Sequence, residues 1–175
     1  NYPIWYGVEM KSKYLETTLS LDDLTQKKEE YTEINSVMPS NVEDIYTVIS
    51  YYKIIANKWG WFSRLKWSFE EWSNHILDNT NYFRFVVNNY NKIGFFELKR
   101  ISRDVGLIKY VALFDEFIGL GYGRQTIFLI KKLAMENAFN KLLVQTRDTD
   151  HSNALKIYLK AGFVILKQEE LTFEK

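Results

Sequence analysis

Cysteine is absent from this chain of 175 residues. Without a thiol the protein has no disulfide, no thiolate metal site and no cysteine nucleophile. Proline is scarce as well, with two residues, and no Pro/Gly-rich stretch or internal repeat divides the sequence. We therefore expect a single domain over residues 1–175, in which residues 1–30 form an N-terminal extension.

Long apolar runs and an excess of one charge are also missing. No run approaches the roughly 20 apolar residues that span a bilayer. The net charge is +1, which gives no electrostatic reason to bind nucleic acid or an anionic membrane. No charged-then-apolar leader follows Asn1, so we expect a cytoplasmic protein without a signal peptide. The two histidines have no partner at metal-ligand spacing, so no metal site is expected.

Aromatic residues, by contrast, make up 17% of the chain. A core or a pocket wall must therefore be rich in rings. Residues 57–67 contain three tryptophans without clear periodicity, which predicts an ordered loop. Trp59 and Trp61 in this loop are candidates for the wall of a substrate pocket, and packing beneath the loop is the alternative.

A glycine-rich turn is the most informative motif. A strand-like run at 107–114 leads into Glu-Phe-Ile-Gly-Leu-Gly-Tyr-Gly-Arg at 116–124, and an amphipathic segment follows. Gly119, Gly121 and Gly123 remove side chains that would keep an anion from the backbone. Successive N–H groups and the positive end of the helix dipole would then attract a phosphate. The spacing fits neither a kinase-type phosphate loop nor a dinucleotide fingerprint. It predicts a phosphorylated cofactor, with a ligand-free tight turn as the alternative.

The remaining pattern predicts an α+β fold. Capping boxes at Ser40–Glu43 and Ser68–Glu71 predict two helices in the first half, and a third helix at 152–160 is closed by Gly162. Alternation predicts a mixed, mainly antiparallel sheet with helices on both faces. The expected strands are 8–19, 31–37, 82–88, 93–100, 107–114, 141–145, 163–167 and 171–173.

From residue 82 to 166 the chain resembles the GNAT superfamily, the acyl-CoA-dependent N-acetyltransferases. The glycine turn after a strand, the strand 142–144 and residues 153–163 carry the resemblance. Residues 153–163 are similar to the family pattern Asn-x-x-Ala-x-x-x-Tyr-x-x-x-Gly-Phe, although Asn and Ala are adjacent here. Ile118 stands where the family usually has Gln or Arg. Because backbone N–H groups would bind the phosphates, this departure is compatible with cofactor binding.

The resemblance implies a cleft between two splayed strands, one ending near Phe114 and the other starting near Leu142. The pantetheine arm of acetyl-CoA would lie in that cleft, with its pyrophosphate on the glycine turn. The acceptor, a small-molecule or peptide amine, would enter from the opposite side, past the first helix and the tryptophan-rich loop. The implied cofactor-binding residues are Ala112, Leu113, Ile118, Gly119, Gly121, Tyr122, Gly123, Arg124 and Asn153.

Three side chains are candidates for the chemistry. The resemblance places Tyr158 near the thioester sulfur, where a phenol would protonate or order the CoA thiolate, with a packed core tyrosine as the alternative. Glu97 lies on a central strand, where burial would raise its pKa towards the range of a general base; a solvated residue is the alternative. His151 is a second candidate base, unless Asp150 and His151 cap the helix that follows.

The implied reaction is direct acetyl transfer from acetyl-CoA to a primary amine within a ternary complex, because no cysteine is present to carry the acyl group. Two other functions stay open: a non-catalytic module that binds or senses acyl-CoA, and an interaction protein whose glycine turn binds nothing. A homodimer is a further expectation.

Overall fold

The computed structural model describes residues 13–25 and 34–172, and one α+β domain is built from them. Its fold class is the one predicted. Two 3₁₀ helices, Phe62–Arg64 and Asp115–Phe117, flank the regular elements. The strands are β1 (Lys13–Leu21), β2 (Ile34–Val37), β3 (Asn81–Asn88), β4 (Asn91–Arg100), β5 (Val105–Leu113), β6 (Lys141–Arg147) and β7 (Val164–Thr172). The α-helices are α1 (Val42–Trp59), α2 (Phe69–Leu77), α3 (Tyr122–Glu136) and α4 (Ala154–Lys160).

The described strands form one sheet in the order β2-β3-β4-β5-β6-β1-β7. Only β5 and β6 are parallel, and every other neighbouring pair is antiparallel. Phe95 and Phe96 of β4 are both fully buried and belong to different core clusters. Since successive side chains of a strand point to opposite faces, the sheet is covered on both sides. Helices α1 and α2 pack on the Phe95 face, and α3 and α4 pack on the Phe96 face.

Helix α1 differs from its prediction at both ends. Its N-cap is Asn41, whose side chain accepts the N–H of Asp44, so the capping box predicted to start at Ser40 is wrong. The helix continues to Trp59 and is closed by Gly60 at φ +72°. Part of the predicted tryptophan-rich loop is therefore helical. The capping box at Ser68–Glu71 is confirmed.

Strand β1 lies within the predicted N-terminal extension, yet it is an internal strand of the sheet. It pairs antiparallel with β6 on one side and with β7 on the other. Leu19 and Leu21 are buried in the core that α3 and α4 cover. The predicted break between 163–167 and 171–173 is wrong, because β7 is continuous. Residues 8–12, 31–33 and 173 of the predicted strands lie outside the described residues.

Strands β5 and β6 diverge towards their C-terminal ends. Their pairing runs from Val105–Lys141 to Ile108–Val144 and stops there, although both strands continue. The register between β4 and β5 shifts at the same level, which makes Lys109 a bulge residue. The predicted splayed cleft is therefore present. We call it the β5–β6 gap, with residues 109–113 on one side and residues 145–147 on the other.

Within the described ranges, no helix combines the length and apolar character needed to cross a membrane.

Candidate active site

The glycine turn after β5 has the backbone geometry that an anion site requires. Gly119 and Gly121 have φ values of +85° and +88°, which side chains rarely adopt. Gly121 is the N-cap of α3, and no side chain caps this helix end. A Cβ added at either glycine would meet no atom within 4 Å, so the backbone is open to a ligand. The first N–H groups of α3 have no intrahelical acceptor and can bind phosphate oxygens.

Other predicted cofactor-binding residues of the turn have structural contacts. The N–H of Ile118 donates to the Asp115 carbonyl at 3.1 Å. The hydroxyl of Tyr122 accepts from the Asn88 amide at 2.6 Å. A Cβ on Gly123 would lie 3.1 Å from Cδ1 of Ile157, so this glycine lets α3 approach α4. The side chain of Arg124 is exposed on the first turn of α3.

Backbone groups of β5 line the β5–β6 gap. The N–H of Phe114 donates to the Ile93 carbonyl on β4 at 3.0 Å. Because backbone groups alternate in direction along a strand, those of Ala112 also face β4, while those of Val111 and Leu113 face the gap. Of the two predicted partners for a pantetheine arm, Leu113 therefore presents its N–H and C=O to the gap and Ala112 does not.

Gly94 of β4 sets the position of this part of β5. We expect Gly94→Ala to destabilise the fold by about 1–3 kcal/mol and to weaken acetyl-CoA binding. The new Cβ would lie 2.1 Å from the Ala112 carbonyl oxygen and 2.9 Å from the Leu113 Cα, so β5 must move. Urea denaturation and calorimetry with acetyl-CoA measure the two effects. Gly106→Ala is the control, because its Cβ meets side chains of Leu98 and Leu142 below the gap. Equal loss of acetyl-CoA binding in the Gly94→Ala and Gly106→Ala variants would contradict the assignment of the β5–β6 gap to acetyl-CoA.

Tyr158 of α4 is buried in the core cluster on the α3–α4 side. Its ring packs against Phe163 with the centroids 5.6 Å apart. Burial, with a further contribution from the charge of Asp150, raises the pKa of Tyr158 above its usual value. The hydroxyl therefore stays protonated at neutral pH. Asp150, whose charge acts on this hydroxyl, lies in the loop that follows β6.

Asp150 and His151 order the loop between β6 and α4. Oδ2 of Asp150 accepts the Arg147 N–H at 2.8 Å and the Thr146 hydroxyl at 3.1 Å. Nδ1 of His151 accepts the Asn153 N–H at 3.1 Å. A neutral imidazole that accepts through Nδ1 carries its proton on Nε2 and has no lone pair left for an amine proton. This geometry favours a role in ordering the loop over the role of His151 as base, although neither side chain caps α4 itself.

Asn153 is the N-cap residue of α4, and its exposed side chain does not bond to the helix end. When the family pattern is aligned on Ala154, Tyr158 and Gly162, its Asn position falls on His151. Asn153 therefore lies two residues beyond that position, which leaves its predicted contact with the cofactor as a prediction.

Glu97 lies in a buried ion pair, not in an open cleft. Its carboxylate is fully buried and accepts from Arg64 Nη1 at 2.6 Å and from Arg64 Nη2 at 2.9 Å. His75 Nε2 lies 3.1 Å from Oε2. Burial alone would raise the pKa of Glu97, but the hydrogen bonds from Arg64 and His75, with their charges, hold it at about 2. The predicted rise in the pKa of Glu97 is therefore wrong. Arg64 lies 33 residues from Glu97 in the chain, so no local pattern in the sequence predicts their contact.

Trp59, the last residue of α1, and Trp61, two residues later, border the gap on the face of α1 and α2. The Trp61 indole N–H donates to Oδ1 of Asp150 at 3.3 Å, and its ring lies 4.9 Å from that of Tyr110. The Trp59 ring lies 5.7 Å from His151. Both tryptophans are half-buried. They therefore stand where the resemblance implies that an acceptor enters.

Sequence reasoning missed Arg64, Tyr110 and the true position of His75. The side chain of His75 is only 13% exposed and contacts Glu97. The alternation that places Ala112 on β5 also places Tyr110 on the same face, so that residue could have been found. No pattern in the sequence connects Arg64 to β4.

The chain is similar to known acetyltransferases in sequence and fold. The model of the acetyltransferase (GNAT) family matches residues 43–163. A search of curated proteins found no significant match. A GCN5-related N-acetyltransferase from Sphaerobacter thermophilus aligns over 93% of this chain and 52% of its own, at 13% identity and a TM-score of 0.69.

Two further solved structures share the fold. The PaiA N-acetyltransferase of Thermoplasma acidophilum, in complex with coenzyme A, aligns over 81% of this chain and 100% of its own (18% identity, TM-score 0.60). An aminoglycoside acetyltransferase from a soil metagenome, in complex with sisomicin, aligns over 74% and 86% (15% identity, TM-score 0.57). The chain spans only 52–63% of the length of the Sphaerobacter protein and two other similar structures.

Within the described residues, no group of three or more His, Asp or Glu side chains is arranged to hold a metal ion. A reaction without a metal stays a prediction.

Proposed function

The chain belongs to the GNAT acetyltransferase family, and we propose on that premise that it transfers an acetyl group from acetyl-CoA to a primary amine. The observation that carries this proposal is the continuity of the open glycine turn with the β5–β6 gap. A phosphate-binding backbone followed by a slot of unpaired strand backbone fits a ligand with a pyrophosphate and a long amide-containing arm.

The residues present fit acetyl-CoA in two places. The first N–H groups of α3 would hold the pyrophosphate, and the backbone of Leu113 would pair with an amide of the arm. Because β5 and β6 pair at Ile108 and Val144, the arm would end near Tyr110 and the bulge at Lys109. The thioester would therefore lie between the α1–α2 face and Tyr158.

Tyr158 is the proposed partner of the departing thiolate. Its hydroxyl can donate a hydrogen bond to the sulfur as the C–S bond breaks; because burial raises the pKa of Tyr158, passing its proton to the thiolate requires further assistance from the site. The amine must also lose a proton. Because Glu97 is held in an ion pair and Nδ1 of His151 accepts the Asn153 N–H, we assign this step to water at the mouth of the gap.

We expect Tyr158→Phe to lower turnover by about 10- to 100-fold, at or below the lower end of what a positioned proton donor contributes. Phenylalanine keeps the ring that packs on Phe163, so the melting temperature should change little. Steady-state thiol release and thermal melting measure the two quantities. A variant that melts lower but turns over normally would identify Tyr158 as a core residue only.

Calorimetry with acetyl-CoA and thiol release with a panel of primary amines test the proposed function. The panel includes sisomicin, which is bound in one similar structure. Binding together with amine-dependent thiol release supports acetyl transfer. Binding without thiol release points to an acyl-CoA-binding or sensor module. Absence of binding would leave an interaction protein as the remaining reading.

The finer expectations stay predictions: direct transfer in a ternary complex, preference for an acetyl group, a cytoplasmic location, a homodimer, and independence of nucleic acid and membranes.

A further inference from the structure

We propose that the buried Arg64–Glu97 pair is a positioning device, which holds Tyr110 and Trp61 as the surface that contacts the acceptor amine. We call these two residues the acceptor-side wall. The inference rests on the proposed function and adds residues that the acetyl-CoA contacts do not involve.

The Arg64–Glu97 ion pair lies in the protein interior, where burying a charge is energetically unfavourable. Glu97 is fully buried and Arg64 is 7% exposed. Taking two charges out of water carries a large desolvation cost, and well-packed apolar residues of similar volume often stabilise a fold equally well. Nδ2 of Asn81 lies 3.2 Å from Nδ1 of His75, and Nε2 of His75 lies 3.1 Å from both Oε2 of Glu97 and Nη1 of Arg64. Stability alone therefore does not account for this cluster.

The Arg64–Glu97 pair contacts the acceptor-side wall at Tyr110. Glu97 and Tyr110 are directly opposite each other on β4 and β5. The Arg64 guanidinium binds Glu97 and also lies 4.9 Å from the centre of the Tyr110 ring. A planar guanidinium that pairs with a carboxylate and stacks on a ring fixes both in one orientation. The orientation of Tyr110 thus depends on the ion pair.

The same arginine anchors the chain that carries Trp61. Arg64 ends the 3₁₀ helix that begins one residue after Trp61. The carbonyl of Trp61 accepts from the Tyr52 hydroxyl at 2.7 Å, which is a second anchor. The Tyr110 hydroxyl lies 3.4 Å from the hydroxyls of both Tyr52 and Ser63. These contacts fix the wall on one side of the β5–β6 gap.

Position connects the wall with the reaction. Tyr110 is two residues beyond Ile108, the last β5 residue that pairs with β6. Trp61 reaches across to Asp150 at the end of β6. The wall therefore spans the closed end of the gap on the α1–α2 face, where the thioester end of the arm is proposed to lie. An amine must pass the wall to reach the acetyl carbon.

The double variant Arg64→Met/Glu97→Met tests this inference, because it removes both charges and leaves neither one unpaired. We expect its affinity for acetyl-CoA and its melting temperature to stay near those of the parent. The apparent kcat/KM for the best amine of the panel should fall by about 10- to 100-fold, since small misplacements of positioning groups have effects of that size. Parent-like amine kinetics in the folded double variant would overturn the inference.

Tyr110→Phe provides a second test that does not depend on the double variant folding. It keeps the ring on Arg64 and removes the hydroxyl, so we expect the amine KM to rise with little change in acetyl-CoA affinity. Tyr82→Phe is the matched control, because the Tyr82 hydroxyl contacts Arg100 at 3.1 Å, outside the wall. Equal amine KM values in both variants would overturn the assignment of Tyr110. A parent without thiol release for any amine would overturn the proposed function, and this inference with it.

Discussion

Gly121→Asp is expected to weaken acetyl-CoA binding by about 100-fold, which corresponds to about 2.7 kcal/mol. Gly121 is the N-cap of α3 at φ +88°, with open space where a side chain would project. A carboxylate there would occupy the space of the pyrophosphate and repel its charge. It would also neutralise the positive end of the helix dipole that attracts the anion. Calorimetry at constant salt measures the effect.

Gly121→Asn is the matched control for this substitution. Asparagine has the size of aspartate, tolerates a left-handed backbone better than most residues and carries no charge. We expect it to weaken binding by less, and the difference between the two variants gives the electrostatic part. If the Asp variant binds acetyl-CoA as tightly as the parent does, the turn is not the phosphate site.

Glu97→Gln is expected to lower the free energy of unfolding by about 3–5 kcal/mol, the usual cost of removing one partner of a buried pair. The guanidinium of Arg64, 7% exposed, would remain charged without its carboxylate. Urea denaturation near neutral pH measures the loss. Glu170→Gln is the control: Glu170 pairs with Lys13 on the surface, so this substitution should change the free energy of unfolding little.

The pH dependence of stability tests the same ion pair. The pKa of Glu97 is lowered from 4.5 to about 2 by Arg64 and His75, against the effect of burial. A lowered pKa means that the folded state favours the charged form, so the contribution is full above about pH 4.5 and is lost as the pH falls towards 2. Glu97→Gln should lack this part of the acid sensitivity. A variant that keeps the parent's urea midpoint but loses turnover would return Glu97 to the role of base.

Local patterns in the sequence were sufficient for most of the fold. Alternation predicted the hairpin of β3 and β4, and the glycine turn marked the end of β5 and the start of α3. These signals are local: a strand's periodicity or a turn's φ requirement is written in neighbouring residues. The start of α1 shows their limit, because Ser40 and Asn41 are both good caps and only the backbone geometry chooses between them.

The site was less predictable, because its contacts join distant segments. Whether a glutamate on β4 acts as a base depends on what faces it, and Arg64 and His75 arrive from two other elements. The glycines of the turn likewise serve different ends. Gly121 leaves room for a ligand, and Gly123 leaves room for Ile157. The regular Gly-x-Gly-x-Gly spacing does not distinguish these two roles.

The internal position of β1 governs the order in which this sheet is completed. Gln145 of β6 follows its partner Glu16 by 129 residues, and Gln168 of β7 follows Thr17 by 151. During synthesis β1 leaves the ribosome long before β6 and β7 are made. Its backbone groups therefore cannot form their hydrogen bonds to these strands until then. Pairings of such sequence separation form slowly, because a long loop must close first. The nascent chain is thus exposed to aggregation through an early strand, and docking of β1 is expected among the late steps of folding.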